Sequence, residues 1–296
     1  MIDRTAVRVG IGLSPDLLRL ERARLVDLLA RINESTITHV IVTDHISFRG
    51  GRGQDALTAL HYLAGLGVER ELHTGVLILP LRHPTTVARQ LLDLADIHAH
   101  GVVAGVGLGG DDPAEYSMVG MSARERGERM DDALDVLVKL LRSHRPIERT
   151  GRYPTRGPGL ERGDGHPVRV LVGGRVDAAH DRATRADGWL ATFCSPSRFA
   201  AGVERVVDRS ASATLGYQAW VGIGPDGRAR VGEQQQRFYG LDPAPFERYT
   251  PVGGAGDLVE HLRPYADAGA DLLHLFPAGD PEQAVDEISA VAAALQ

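Results

Sequence analysis

The chain has 296 residues, 43% of them hydrophobic, and a formal net charge of -6. That is ample apolar residue for a large core, and the charge offers no electrostatic case for binding nucleic acid or an anionic membrane surface. A single cysteine, Cys194, excludes an internal disulfide and fits a reducing, cytoplasmic setting. No apolar run approaches the roughly 18 residues a membrane span requires. The opening stretch MIDRTAVRVGIGLS carries Asp3, Arg4 and Arg8 where a signal peptide would have an apolar centre.

Short apolar runs alternate with amphipathic stretches along the chain. Val7 to Leu13 predicts a strand, and Asp16 to Ile32 a helix with leucines at helical spacing. Val40 to Val42 lies in a second strand that runs into Thr43, Asp44 and His45, and Ala56 to Leu66 suits a helix. Leu72 to Leu79 is a third strand, followed by a helix over Thr85 to His98 entered through Pro84. Val102 to Val106 is a fourth, and Ser122-x-x-Glu125 has the form of a capping box opening a helix to about Leu141. Val168 to Val172, WLATF and YQAWVGI are strands five to seven, with helices near Asp177 to Thr184 and Phe199 to Val207. Leu258 to Ala268 is a helix, Leu272 to Phe276 the eighth strand, and Pro281 to Leu295 the closing helix.

Eight strand–helix units in a chain of this length predict an α/β fold, a TIM (β/α)8 barrel of parallel strands, as one domain over residues 1–296. Two excursions break the alternation: Ser143 to Pro167, before strand five, and Gly224 to Gly256, before the last helix–strand unit.

In such a barrel the active site forms where strands end, so the residues after each strand are the candidates. Asp44 and His45 end an apolar strand; they serve either a ligand or, in the plainer reading, a helix N-cap with a neighbouring histidine. Gly173-Gly174-Arg175 would let backbone approach a phosphate with a guanidinium beside it, or would simply make a tight turn. Gly105-x-Gly107-x-x-Gly110 has the form of a dinucleotide fingerprint, but no helix is expected directly after it. A glycine floor under a planar ring fits better, with Gly109 in the same run. His98-x-His100 precedes strand four, on the opposite face, so no metal site is expected there. Cys194 reads as a small core residue rather than a nucleophile.

Taken in order, VIVTDHI, LHTGVLILPLRHPTTVARQLLDLADIHAHG, GVGLGGDDPAEYSMVGMSARERGERMDDALDVLVKLL, VLVGG, RATRADGW and GGAGDLVEHLRPYADAGADLLHLF resemble the bacterial-luciferase-like barrel family across nearly the whole chain. The likeness is greatest to the branch using the deazaflavin coenzyme F420. It implies a hydride-transferring oxidoreductase acting on a small organic molecule, and a homodimer. Asp44 and His45 would then meet the redox ring, with His45 as proton donor or acceptor. Gly75-Val76 would be a bulge behind the ring with a cis peptide. Gly105, Gly107 and Gly109 would lie under the ring, and Gly173, Gly174 and Arg175 at the phosphate. An FMN-dependent monooxygenase fed by a separate reductase is the alternative, and a non-catalytic flavin or deazaflavin carrier a third reading. Sugar-phosphate dehydrogenases of this branch carry Glu and Trp where this chain has Gly110 and Arg49, so the resemblance does not extend to that substrate. Should His45 not carry the proton, Asp111 and Glu115 beyond strand four are the next acids.

Overall fold

The computed structural model describes residues 6–109, 112–240 and 242–296. Gly110 and Asp111, named above, lie outside the described residues. Eight parallel strands close on one another: β1 (Arg8–Leu13), β2 (His39–Val42), β3 (Glu71–Ile78), β4 (Val102–Gly107), β5 (Arg169–Gly173), β6 (Gly188–Thr192), β7 (Thr214–Ile223) and β8 (Leu272–Ala278). Each pairs with its sequence neighbours, and β8 returns to β1 through Arg8↔Leu272 and Val9↔Leu273. The strands are apolar runs because both faces are covered, helices outside and side chains within. The expected TIM barrel is therefore the fold.

Outside, the large cluster of Leu, Ile, Val and Ala side chains lies between strands and helices such as Arg22–Glu34, Pro84–Ile97 and Arg126–Arg142. Inside, large side chains lie against glycines. A Cβ on Gly10 would strike the His39 ring, and one on Gly12 the Phe276 ring. The lumen thus holds rings where most barrels stack branched aliphatics. Leu171, Leu190, Leu272 and Val103 form a small apolar cluster of their own, with Val76 packed against it.

Three lumen histidines, His39, His73 and His274, are fully buried. The Glu71 carboxylate accepts from Arg8 and Arg169, both at 2.6 Å, and lies 3.2 Å from His73 Nε2. A carboxylate only accepts, so His73 carries its proton on Nε2, and its Nδ1 accepts from His274 Nε2 at 3.1 Å. Thr38 Oγ1 donates to Val9 O and therefore accepts from His39 Nδ1 at 2.9 Å. His39 Nε2 and His274 Nδ1 have no partner among the described residues. The His39 and His73 rings stack at 4.2 Å and 15°. Burial, with the neighbouring rings and arginines, pushes all three imidazoles down, His274 to about 3.

Several expectations need correction. Ser122 caps a 3₁₀ turn, accepting from Arg124 N, while Glu125 pairs with Arg129 and Arg152; no capping box forms. A short helix, Pro113–Met118, precedes it, N-capped by Asp112. The first excursion contains an antiparallel hairpin, Ile147–Arg149 with Thr155–Gly157, and the second a helix, Gly227–Tyr239. No described helix is long and apolar enough to cross a membrane.

Candidate active site at the barrel mouth

The strand β2 ends at Val42, and the chain then turns out into a small antiparallel hairpin, His45–Phe48 with Arg52–Gln54. That hairpin holds His45 over the barrel mouth, its side chain 18% exposed. Its Nδ1 lies 2.9 Å from Glu115 Oε2. Glu115, in the first turn of the Pro113–Met118 helix, is 1% exposed, and its Oε1 accepts from the Ile46 and Ser47 amides at 2.9 and 3.2 Å. With every contact accepting, the carboxylate fixes the proton on His45 Nδ1. Nε2 is left as the nitrogen that can take or give a proton. Asp112 adds a parallel tie, accepting from the Arg49 amide at 2.8 Å.

His45 forms part of the wall of a cavity of about 290 Å³. Phe48, Trp220, Phe238 and Phe276 supply its aromatic lining, and Gly12, Thr43 and Gln54 also face it. The rings are mutually packed: His45 to Phe48 at 4.3 Å, His45 to Phe238 at 5.2 Å, and Trp220 to Phe276 at 5.9 Å between centroids. Phe238 comes from the Gly227–Tyr239 helix, inside the stretch read from sequence only as an excursion.

Asp44, which the resemblance would set at the ring, is not among the residues that line this cavity. Its side chain is fully buried, and its two oxygens accept from the Ala56 and Ile78 amides at 3.0 and 2.9 Å and from both ends of the Arg82 guanidinium at 2.7 and 2.8 Å. Burial pushes the Asp44 carboxyl up, and the Arg82 guanidinium pulls the other way. Arg82 also reaches Asp55, the N-cap of the Ala56–Gly65 helix. Asp44 thus ties β2, β3 and that helix together and anchors the base of the hairpin that presents His45.

The glycines have packing reasons of their own. The Gly75–Val76 peptide is cis, and the β3–β4 register shifts between Thr74 and Leu77. The shift brings Val76 against its neighbours. A Cβ on Gly107 would come within 2.6 Å of Val76 Cγ2, one on Gly173 within 2.9 Å of Val76 Cγ1, and one on Gly105 would collide with the Thr74 carbonyl. Gly109, in the left-handed region at φ +58°, lies against Ile78. Gly174 has φ +140°, its amide donates to Leu190 O, and its carbonyl accepts from Trp189 Nε1. Arg175 is exposed and donates to Phe193 O at 2.9 Å. None of these eight lines the aromatic cavity. Cys194 is buried, its thiol pushed up to about 11 by burial, as suits a core residue.

The model of the family described as luciferase-like monooxygenase matches residues 7–295. The chain belongs to that family. An uncharacterised protein of Mycobacterium tuberculosis is 36% identical over 116 residues, 39% of this chain and 40% of that protein, so the match spans well under half of the curated relative. Among solved structures, an F420-dependent secondary alcohol dehydrogenase, in complex with an F420–acetone adduct, superposes with a TM-score of 0.79 at 16% identity, over 97% of this chain and 99% of that one. The oxygenating constituent of 3,6-diketocamphane monooxygenase from Pseudomonas putida, in complex with FMN, superposes at 0.70 and 14% identity, over 98% of each chain. At these identities the likeness establishes the barrel alone.

In this luciferase-like barrel His45 Nε2, at the mouth, has no partner among the described residues, and neither does the buried Gln218 Oε1 within the barrel. Gln218 lies on β7 between Gly216 and Trp220, and its Oε1 would be 2.9 Å from a Cβ on Gly75. A buried carbonyl oxygen without a donor is costly. Neither Gln218 nor Glu115 as a partner of His45 was visible from the sequence. The signal that existed was an acid in the first turn of a helix following β4.

Proposed function

We propose that the protein is an oxidoreductase moving a hydride between deazaflavin coenzyme F420 and a small organic substrate. The observation that carries this is the Glu115–His45 pair on the wall of an aromatic cavity at the mouth of a luciferase-like barrel. The residues fit such a coenzyme: Gln218, beside Gly75, offers an unpartnered acceptor for a ring N–H. Gly173, Gly174 and Arg175 would hold its phosphate through the guanidinium nitrogens left after the bond to Phe193 O. When bound, F420 supplies the hydride chemistry.

Glu115 holds the His45 ring in one tautomer and orientation. His45 Nε2 then gives a proton to a substrate oxygen or nitrogen, or takes one, as hydride arrives or leaves. A positioned side chain that carries a proton to or from the reacting group typically contributes about 10² to 10⁴-fold. The rings of Phe48, Trp220, Phe238 and Phe276 keep water from the reacting atoms. FMN is the second reading, because the same open groups would meet a flavin ring and an FMN protein shares the barrel. A carrier without turnover would leave the His45–Glu115 pair without a task.

Fluorescence titration of the full chain with F420 and with FMN tests the cofactor; binding of neither sinks the reading, and FMN alone redirects it. His45→Ala should lower turnover by about 10² to 10⁴-fold with modest loss of cofactor affinity. Full activity in His45→Asn, with an unchanged pH profile, removes His45 from the chemistry.

A further inference from the structure

The chain as a whole is acidic, at -6. The mouth of its aromatic cavity is not. Arg19, Arg52 and Arg237 line it, with Asp16 as the one carboxylate among the lining residues. Arg237 pairs with Asp16 at 3.2 Å, both side chains more than 60% exposed, so the pair is open to water and weak. Arg19 and Arg52 are exposed and have no carboxylate partner among the described residues. Among the described residues, then, two positive charges stand without a carboxylate partner over an opening whose interior is apolar rings. Arginine brings a planar fork of donors that matches carboxylate and phosphate oxygens, and low-dielectric walls focus such a field on whatever enters.

We infer that the substrate of this cavity is a small organic anion: a flat apolar body seated among Phe48, Trp220, Phe238 and Phe276, with a carboxylate or phosphate group held at the rim by Arg19, Arg52 and Arg237. This rests on the redox reading above for its consequence, because the anchored acid would leave the far end of the body beside His45. The rim arginines come from three places, the loop after β1, the His45 hairpin and the Gly227–Tyr239 helix, so the anion is held by three elements that already pack together beneath it. They set which molecules enter and how they lie; they hold no proton role.

The test uses the full-length protein and a matched pair of probes, cinnamate and cinnamyl alcohol, by isothermal titration calorimetry at low salt, with and without saturating F420. Cinnamate should bind about tenfold more tightly than the alcohol, and 0.5 M NaCl should erase most of the difference, since exposed charges are screened. Arg52→Ala and Arg237→Ala should each reduce cinnamate affinity severalfold and leave the alcohol unchanged. Cinnamate should bind whether or not F420 is present. Equal affinity for the two probes, no binding of cinnamate, or a preference that survives the Arg19→Ala/Arg52→Ala/Arg237→Ala triple variant overturns the inference. Competition between F420 and cinnamate, or weakened F420 binding in the arginine variants, assigns the rim to the cofactor's own acidic groups and also overturns it. Arginine-dependent cinnamate binding in a protein that takes neither F420 nor FMN would instead uphold the anion site and sink the redox reading.

Discussion

Lowering the pH from 7.5 to 5.5 should weaken the fold sharply through the histidines of the lumen. His39, His73 and His274 are fully buried, and burial together with Arg8, joined at His39 and His73 by the neighbouring rings, holds their imidazoles well below the ordinary 6.5. Arg169 acts on His73 in the same sense, and Glu71 opposes on His39 and His274. Below about 6.5 the unfolded chain takes up three protons that the folded chain refuses. The stability is therefore complete above that pH and is lost as pH falls toward the folded values. Each such group costs about 1.4 kcal/mol per pH unit within the window, so one unit below 6.5 the three together remove about 4 kcal/mol. Against a total of roughly 5–15 kcal/mol for an ordinary domain, that is a large share. Urea unfolding at pH 7.5, 6.5 and 5.5 measures it. His274→Phe should reduce the pH slope by about a third whatever it does to absolute stability. A stability flat between pH 7.5 and 5.5, or imidazole NMR signals of these three titrating near 6.5, would refute the reasoning.

Glu115→Gln keeps the shape but presents an amide to three donors; turnover should fall about 10²-fold, and an unchanged kcat/KM would show that His45 needs no orienting acid. Arg82→Ala leaves the buried Asp44 carboxylate without its guanidinium and should cost about 3–5 kcal/mol in chemical denaturation; a loss under about 1 kcal/mol would mean that the two amide donors suffice. Gly107→Ala pushes a methyl against Val76 and should cost about 1–3 kcal/mol. Val76→Ala in the same chain should recover part of that, and no recovery would place the strain elsewhere.

The barrel was legible because its evidence is local. Each strand buried on both faces reads as an apolar run, and each helix carries its own periodicity. The Pro113–Met118 helix escaped because six residues are too few for a period to show. The site was legible only as a location. His45 stands where strand two promised, but its partner lies 70 residues away and meets it only once the loops after β2 and β4 are brought together. Asp44 looked equally exposed in sequence, and its direction was decided by Arg82, 38 residues on. The glycines of β4 and β5 read from sequence as places for a ring and a phosphate; inside the chain Gly107 and Gly173 meet Val76 and Gly105 the Thr74 carbonyl, neighbours that no reading of one strand could supply. His39, His73 and His274 each sit singly in an apolar run, and only closure of the barrel makes them a layer.

The hairpin carrying His45 is held by its backbone: the Ile46 and Ser47 amides donate to Glu115 and the Arg49 amide to Asp112. Hydrogen bonds to carboxylates are among the stronger kinds, and these ones need no group from outside the chain. A visitor therefore finds that side of the cavity already organised and gives up no entropy in ordering it. Association at this wall should follow a single concentration-dependent phase, with no slow closing step of the hairpin behind it, and amide exchange at residues 46, 47 and 49 should be as slow in the free protein as in the liganded one.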